Sequence, residues 1–510
     1  MAKPDAEIIL TRQRVLLFSV FIIATCGLIY ELVAGTLASY LLGDSVTQFS
    51  IIIGTYLFSM GIGSWLSKYI EKDLLRWFIR IEILVGIVGG CSAPLLFLLF
   101  EHIHSFQIVL YTLVCLTGIL VGLEIPVLMR ILQSSTTFKN LVSQVFTFDY
   151  IGALLASVIF PLLLVPYLGL IRTSLLFGVL NMGVAIYLLY QFEETTKYRK
   201  SFIAVITLCT CVLLSGFVFA KKILSYTETM AFQDHVIFSK STPYQRMVIT
   251  RNSRELRLFL NGNLQFSSAD EYRYHEALVH PGLQALPNAK NVLILGGGDG
   301  LAAREVLKYA QIGNITLVDL DPAMTELFST NEMLIALNDS SLLSPKMHII
   351  NDDAFNWVSA ETNQYDFIIV DFPDPSNYSI GKLYSSKFYE QLHHLLTDNA
   401  IIVVQSTSPL VAPKSFWCIS HTLNAAGFIT LPYHTFVPSF GEWGYTMAMK
   451  NHSWRNSGKF PEELKFINSA TMNSMFTFPA DMSEVPTDVN KLNNQILVNY
   501  FNYEWAPYLR

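Results

Sequence analysis

Charged side chains are scarce in this chain of 510 residues. Asp, Glu, Lys and Arg make up 15% of it, while hydrophobic residues make up 52%. Because typical soluble domains carry about 25% charged residues, this composition argues against an ordinary soluble protein and favours a membrane protein. The net charge of −6 also provides no basic excess for binding a phosphate backbone, so no nucleic-acid partner is expected.

Cysteine is also rare. Five of the six cysteines lie within apolar stretches of the first 222 residues, and Cys418 lies alone in the second half. None has the spacing of a metal-binding or disulfide motif. The sequence therefore predicts neither a disulfide framework nor a zinc site, and no bound metal ion is expected.

The first 222 residues contain seven apolar stretches that approach the ~20 residues needed to cross a bilayer as a helix. One such stretch could be a buried core helix, but seven in succession indicate a polytopic bundle. We place the spans at Val15–Ala38, Phe49–Ile70, Ile79–Phe100, Ile108–Met129, Val142–Val165, Leu168–Tyr190 and Phe202–Ala220. Residues 1–222 are thus predicted to form an all-α, multi-pass domain in the cell (inner) membrane, with the lipid bilayer as its partner.

Basic residues alternate from one side of these spans to the other. The N-terminal tail and the loops after spans two, four and six hold twelve Lys and Arg, whereas the opposite loops hold Arg172, Lys221 and Lys222. The positive-inside rule then places the N-terminus in the cytoplasm, and seven spans would place the second half outside. The substrate implied below is cytosolic, so we expect the catalytic domain in the cytoplasm, in conflict with the charge rule.

Carboxylates interrupt the apolar spans at Glu31, Glu82, Glu124 and Asp149. Ionisable groups at membrane depth are costly and usually face a bundle interior or a water-filled path. Two interpretations stay open: these acids pair with a basic side chain such as Arg172, or some of them form a cation-binding site.

The second half begins with a predicted linker and small antiparallel β domain over residues 223–269, where short strand-like runs flank the turn signal Asn261-Gly262. From Asp270 a helical pattern is predicted to end before Pro281. Over residues 270–450 strands alternate with helix-length segments, which predicts a Rossmann-like, doubly wound parallel sheet. Residues 451–510 form a C-terminal extension without a motif.

A glycine turn follows the first of these strands. Residues 291–306 read NVLILGGGDGLAAREV, which predicts a buried strand, a turn and the start of a helix, so that backbone N–H groups face a ligand. The glycines, among them Gly296 and Gly298, allow close approach of that ligand. Leu301 stands where a dinucleotide fingerprint has its third glycine, and Asp299 would repel a pyrophosphate. The turn therefore favours a nucleoside that carries positive charge.

Acidic residues sit at or just past the carboxyl ends of four successive predicted strands. Because ligands of open α/β sheets bind beyond those ends, we expect the acids to converge on one crevice. Asp319, 20 positions after Asp299, occupies the place of an acid that binds ribose hydroxyls. Asp353 either binds an adenine amino group or caps a helix. The pair Asp371 and Asp374 requires a cationic partner if it is buried.

Together these motifs resemble the spermidine synthases, which transfer an aminopropyl group from decarboxylated S-adenosylmethionine. The resemblance covers roughly residues 234–450 and rests on TPYQR at 242–246, LNGNLQ at 260–265, DEYRYHE at 270–276, GGGDG at 296–300 and DFPDP at 371–375. The apolar first half is similar to that of membrane-fused members of the group. The resemblance implies putrescine as the acceptor, spermidine and 5′-methylthioadenosine as products, and a possible homodimer formed through the soluble half.

The resemblance also implies roles for individual residues. Asp371 would be the catalytic base, Asp374 would orient the amine, and Asp299 would bind the aminopropyl ammonium. Amine contacts are expected from Tyr274 and His275, and nucleoside contacts from Gln245, Gly296, Gly298, Asp319, Asp353 and Ala354. The donor is a co-substrate whose sulfonium supplies the leaving group, so no cofactor is required.

This sequence departs from the family pattern at several positions, including Ala354 for glycine and Phe436 for the acceptor-site tyrosine. Two other functions are compatible with parts of the sequence. An S-adenosylmethionine-dependent methyltransferase would also use the glycine turn and ribose acid, although the pocket acids argue against it. A polyamine transporter or sensor would use the second half to bind ligand without turnover.

Overall fold

The computed structural model describes residues 3–42, 45–100, 103, 105–133, 137–192, 197–232, 234–451 and 454–508. The chain forms two compact units, Met1–Asp234 and His235–Arg510. Each unit is described by itself.

The first unit is built of long apolar helices. Their bounds are α1 Lys3–Leu42, α2 Ser45–Leu66, α3 Leu74–Phe100, α4 Phe106–Leu132, α5 Phe138–Ile159, α6 Val165–Gln191 and α7 Arg199–Ala231. In the described part of the chain, six continuous helical stretches are long and apolar enough to cross a bilayer, and one of them, Phe138–Gln191, spans 54 residues. That stretch contains both α5 and α6.

The 54-residue stretch folds back on itself. Thr25 Oγ1 on α1 donates to the Gly152 carbonyl of α5 at 3.2 Å, and Cys26 Sγ donates to the Phe177 carbonyl of α6 at 3.8 Å. A straight helix would separate residues 152 and 177 by about 38 Å, at 1.5 Å per residue. The reversal uses a π-helical turn at Phe160–Leu164 and the non-helical Gly169, with φ 73° and ψ 173°. Within the described residues, seven helical segments therefore overlap the seven predicted apolar stretches.

Helix α7 continues beyond the last apolar span. The span ends at Ala220, but the helix runs on to Ala231. The first part of the predicted linker from residue 223 is therefore helical, because residues 223–231 extend α7.

The second unit opens with a four-stranded antiparallel meander in the order β1-β2-β3-β4. The strands are β1 His235–Ser241, β2 Arg246–Arg251, β3 Leu256–Leu260 and β4 Asn263–Ser267. Asn261 and Gly262 both have positive φ, 52° and 84°, as a two-residue type I′ hairpin turn requires. The predicted hairpin is confirmed.

A seven-stranded sheet follows, in the order β10-β11-β9-β8-β5-β6-β7. The strands are β5 Asn291–Gly296, β6 Asn314–Asp319, β7 Met347–Asn351, β8 Tyr365–Asp371, β9 Leu396–Gln405, β10 Ile429–Val437 and β11 Gly441–Met449. Strands β5 to β9 are parallel, and β11 pairs antiparallel with both β9 and β10. The helices between and after them are α8 Glu271–Leu283, α9 Leu301–Leu307, α10 Pro322–Thr330, α11 Glu332–Leu337, α12 Ala354–Ala360, α13 Tyr378–Gly381, α14 Ser386–Leu395, α15 Pro413–Ala425, α16 Ser469–Met475 and α17 Ile496–Trp505.

Helix α8 passes through Pro281, so the prediction that it ends before that proline is wrong. Proline has no N–H to donate to the carbonyl four residues earlier, which is that of Ala277. The buried Tyr433 hydroxyl donates to the Ala277 carbonyl instead, at 2.8 Å. A tertiary hydrogen bond thus replaces the missing helical one.

The C-terminal residues pack against the α/β layers. The buried Glu276 carboxylate accepts hydrogen bonds from the backbone N–H groups of Lys465, Phe466 and Ile467, at 2.8 to 2.9 Å. Glu504 on α17 accepts from the backbone N–H groups at the start of α15. Although this segment carries no motif, it is bound into the same compact unit as the sheet.

Candidate active site

The crevice forms where the order of the sheet reverses. From β5 the chain proceeds through β6 to β7 at one edge and then returns to β8 on the other side of β5. Such a switch point leaves an opening beyond the carboxyl ends of the two central strands. Gly296, at the end of β5, lies beside Asp371, at the end of β8. The glycine turn and the predicted base therefore share one opening.

Two positions of the glycine turn have no room for a side chain. Gly296 has φ 83°, and a Cβ atom there would collide with the Asp371 carbonyl oxygen. A Cβ on Gly298 would lie 2.6 Å from Asp319 Oδ2, which instead accepts a hydrogen bond from the Gly298 N–H at 3.1 Å. Asp319 is thereby fixed against the turn, and burial raises its pKa to about 6.

Asp371 faces the glycine turn. Its Oδ1 accepts a hydrogen bond from the Tyr274 hydroxyl at 2.6 Å, and its Oδ2 would lie 3.4 Å from a Cβ atom on Gly297. Burial raises the pKa of Asp371 to about 6, although the nearby His275 opposes the rise. A carboxyl with this pKa accepts a proton more readily than an exposed Asp, whose pKa is about 3.9.

Asp299 lies at the end of the glycine turn, where its Oδ1 accepts a hydrogen bond from the Leu301 N–H at 2.9 Å. Burial raises the pKa of Asp299, while His275 again opposes the rise. The negative charge of Asp299 contributes to the raised pKa of Asp371. The two acids therefore lie within electrostatic reach of each other, as predicted for a cation-binding crevice.

His275 is held from behind by a buried ionic network. Its Nδ1 lies 2.9 Å from Glu271 Oε2, and Arg304 binds both oxygens of the Glu271 carboxylate at 2.9 Å. Arg304 also donates to Glu305, whose other oxygen lies 2.9 Å from His280 Nε2. Burial alone would lower the pKa of His275, but the hydrogen bond to Glu271 raises it.

Asp374 is positioned by the end of β9. Gln405 Nε2 donates to Asp374 Oδ1 at 3.4 Å and to the Phe372 carbonyl at 2.6 Å. The Gln405 amide oxygen accepts from the Thr407 N–H at 3.1 Å. Burial raises the pKa of Asp374 to about 7, although hydrogen bonds from Gln405 and Thr407 to its carboxyl oppose the rise. Our sequence reasoning missed Gln405, although its place directly after a predicted strand could have indicated it.

Aromatic rings line the crevice beside Asp371. The ring centroid of Tyr274 lies 6.2 Å from that of Phe440, 6.4 Å from that of Trp443 and 5.5 Å from that of Tyr445. Phe436, which takes the place of the family's acceptor-site tyrosine, is instead 49% exposed on β10. The residues around Tyr274 therefore come from the β10–β11 hairpin and from β11 itself.

The remaining predicted nucleoside residues lie around the first strands of the sheet. Gln245 Nε2 donates to Asp321 Oδ2 at 3.1 Å, close to Asp319. Asp353 caps helix α12 by accepting from the Phe355 N–H at 2.9 Å, and its other oxygen pairs with Lys382 Nζ at 2.6 Å. The helix-capping interpretation of Asp353 is thus confirmed, and Ala354 is buried at the start of the same helix.

This arrangement suits a cationic nucleoside and an amine. Asp299 and Asp371 supply carboxyl groups beside the glycine turn, Asp374 supplies another next to Gln405, and Asp319 supplies an acceptor at the turn itself. Among residues that the structure describes, no three His, Cys, Asp or Glu side chains are grouped so that they could hold a metal ion.

Comparisons with known proteins identify the family of this chain. The Spermine/spermidine synthase domain matches residues 271–459. The polyamine aminopropyltransferase of Leptospira interrogans is 52% identical, over 97% of this chain and 99% of its own. Polyamine aminopropyltransferase 2 of Ralstonia nicotianae is 49% identical over the same shares. These matches run through both units.

A solved spermidine synthase, in complex with the transition-state analogue AdoDATO, is 28% identical over 48% of this chain and 86% of its own, with a TM-score of 0.46. On the near full-length matches above, the chain belongs to the spermidine synthase family, the polyamine aminopropyltransferases.

Proposed function

We propose that this aminopropyltransferase uses putrescine as its acceptor and releases spermidine and 5′-methylthioadenosine. One observation carries the proposal. Asp371 and Asp299 lie at the same opening as the glycine turn, and Asp371 accepts a hydrogen bond from Tyr274. An amine nitrogen attacks the aminopropyl carbon next to the sulfonium. The C–S bond breaks, its electron pair stays on sulfur, and the amine proton passes to Asp371.

The donor would lie across the glycine turn. Asp319 would accept hydrogen bonds from the ribose hydroxyls, and Asp299 would bind the ammonium of the aminopropyl chain. Gly296, Gly298, Gln245 and Asp353-Ala354 would surround the nucleoside. The crevice acids would repel the carboxylate of ordinary S-adenosylmethionine, which favours the decarboxylated donor.

The acceptor would bind between the acids and the aromatic rings. Because a protonated amine is not a nucleophile, a carboxylate must accept its proton as the C–N bond forms. Asp371, with a pKa of about 6, is ionised at pH 7 and can do so. Asp374 and His275 would orient the amine, and the methylene chain would contact the aromatic rings.

The experiment is turnover of the purified full-length protein with decarboxylated S-adenosylmethionine and a panel of amines, with methylthioadenosine as the readout. We expect putrescine to be the preferred acceptor and ordinary S-adenosylmethionine to give no transfer. Preference for another amine would overturn the proposed acceptor, and methyl transfer from S-adenosylmethionine would overturn the proposed donor specificity.

The membrane placement is part of the same proposal. The apolar helices have the length and composition of membrane spans, and we propose a multi-pass protein of the inner membrane whose catalytic unit faces its cytosolic donor. The charge rule gives the opposite side for a seven-span chain. A reporter fused after residue 510 tests this: green fluorescent protein should fluoresce there, whereas activity of a fused alkaline phosphatase would overturn the placement.

A further inference from the structure

Three of the predicted intramembrane carboxylates line one cavity inside the helical unit. Glu31 on α1, Glu124 on α4 and Asp149 on α5 all face a space of about 160 Å³, which Tyr56 on α2 also lines. The volume is far above the ~10–15 Å³ that one water molecule needs. The cavity is therefore large enough for a small ligand.

The carboxylates have no cationic partner within the described residues. Glu124 is 2% exposed, and its Oε1 has no hydrogen-bond partner there. In that part of the chain no salt bridge joins Glu31, Glu124 or Asp149 to a Lys or Arg. Arg172, the partner considered above, instead stacks over the Phe217 ring at 5.5 Å. Unpaired acids in an apolar bundle are costly, so a cation supplied from outside would stabilise them.

The geometry selects the kind of cation. No described group of three acidic, His or Cys side chains fits a single metal ion, and the three carboxylates reach the cavity from three different helices. Between them the lining is apolar, with side chains such as Ile23, Leu28 and Met60. Separated negative charges joined by an apolar wall match a cation with separated ammonium groups joined by methylene chains. The Tyr56 and Phe78 rings beside this space can add cation–π attraction.

We propose that this cavity is a second binding site, specific for linear aliphatic polyamines and separate from the catalytic crevice. Each ammonium group is held by one of the three carboxylates. The methylene segments pack on the apolar lining. The site gives the helical unit an amine ligand of the same chemical class as the substrate and product of the family.

The test is equilibrium binding of radiolabelled spermidine to the full-length protein in lipid nanodiscs. The wild type should bind two equivalents per chain, and the variant E31Q/E124Q/D149N should lose one of them. Glu71→Gln, which removes an exposed acid between α2 and α3, is the matched control and should retain both. Methylthioadenosine binding verifies that the triple variant is folded in its second unit.

Two single variants keep the test decisive if the triple variant is unstable. Glu124→Gln preserves the shape of the side chain, and Ala153→Leu fills the cavity without changing charge. Glu124→Gln should weaken binding of the second equivalent by at least about 30-fold, the effect of removing one member of a buried charge pair. Ala153→Leu should also weaken that binding, because its side chain occupies the space that the methylene chain would fill. Two equivalents with unchanged affinity in both variants would overturn the site. Turnover is measured separately. If the wild type shows no turnover with putrescine but the triple variant still binds one equivalent fewer than the wild type, the proposed acceptor is refuted and the cavity site is not.

Discussion

Two groups of carboxylates in this protein differ in what surrounds them. In the crevice of the α/β unit, Asp299, Asp371 and Asp374 each accept a hydrogen bond from the protein. In the cavity of the helical unit, the buried Glu124 Oε1 lacks such a partner in the described part of the chain. The protein therefore orients the crevice acids before substrate arrives, whereas the cavity acids depend on a ligand for their compensation.

Disruption of the buried ionic network behind His275 should have the largest effect on stability. Arg304→Met removes the shared cation of Glu271 and Glu305, which are 3% and 1% exposed. Breaking a buried ion pair from one side typically costs about 3–5 kcal/mol of the free energy of unfolding. Thermal unfolding in detergent, followed by tryptophan fluorescence, should show the loss.

The exposed Arg254 provides the control for that experiment, since Arg254→Met removes the same charge from the surface. Equal unfolding temperatures for the two variants would mean that the network does not support the crevice. In Arg304→Met we also expect an altered pH profile of turnover, because His275 loses the group that holds Glu271.

Removal of the base should produce the largest effect on catalysis. Asp371→Asn retains the shape of the side chain and its bond to Tyr274 but cannot accept a proton. We expect kcat to fall by ~100-fold or more, while methylthioadenosine still binds. Asp398→Asn, at an exposed position early in β9, should retain full activity. Undiminished turnover in Asp371→Asn would refute the assignment.

The predictions that succeeded rest on local patterns. The strand ends, the glycine turn and the I′ hairpin each follow from a few adjacent residues whose backbone requirements are specific. The residues missed depend on partners distant in sequence. Gln405 reaches back to Asp374, and where helix α8 continues past Pro281 the Tyr433 hydroxyl supplies the hydrogen bond that proline cannot make. No local pattern indicates that Arg304 and Glu271 meet.

The pH dependence of turnover reports the ionisation of the crevice acid Asp371. Because burial raises the pKa of Asp371 to about 6, the base becomes protonated as the pH falls through 6. Below that pH, kcat/KM should decrease about tenfold per pH unit, whereas an Asp with the ordinary pKa of about 3.9 would stay ionised until near pH 4.

A variant of Tyr274 measures how much its hydrogen bond contributes to the pH profile of turnover. The Tyr274 hydrogen bond lowers the pKa of Asp371 against burial. Tyr274→Phe should therefore move the acid limb to higher pH, since the carboxylate loses a donor. A limb that stays in place, or that moves to lower pH, would show that Tyr274 does not stabilise the ionised base.

The smallest effect is expected from a variant at the far end of the hydrogen bonds that position Asp374. Trp505, on the C-terminal helix α17, donates from Nε1 to Thr407 Oγ1 at 3.2 Å, and Thr407 in turn bonds Gln405 beside Asp374. Trp505→Phe removes one donor, worth about 1 kcal/mol, so KM for the amine should rise about fivefold while kcat changes little. Tyr503→Phe alters an 81% exposed ring on the same helix and should have no effect. If the two variants have the same KM, the C-terminal helix contributes packing alone. The hydrogen bonds that orient the crevice acids before substrate binds would then extend no further than Gln405.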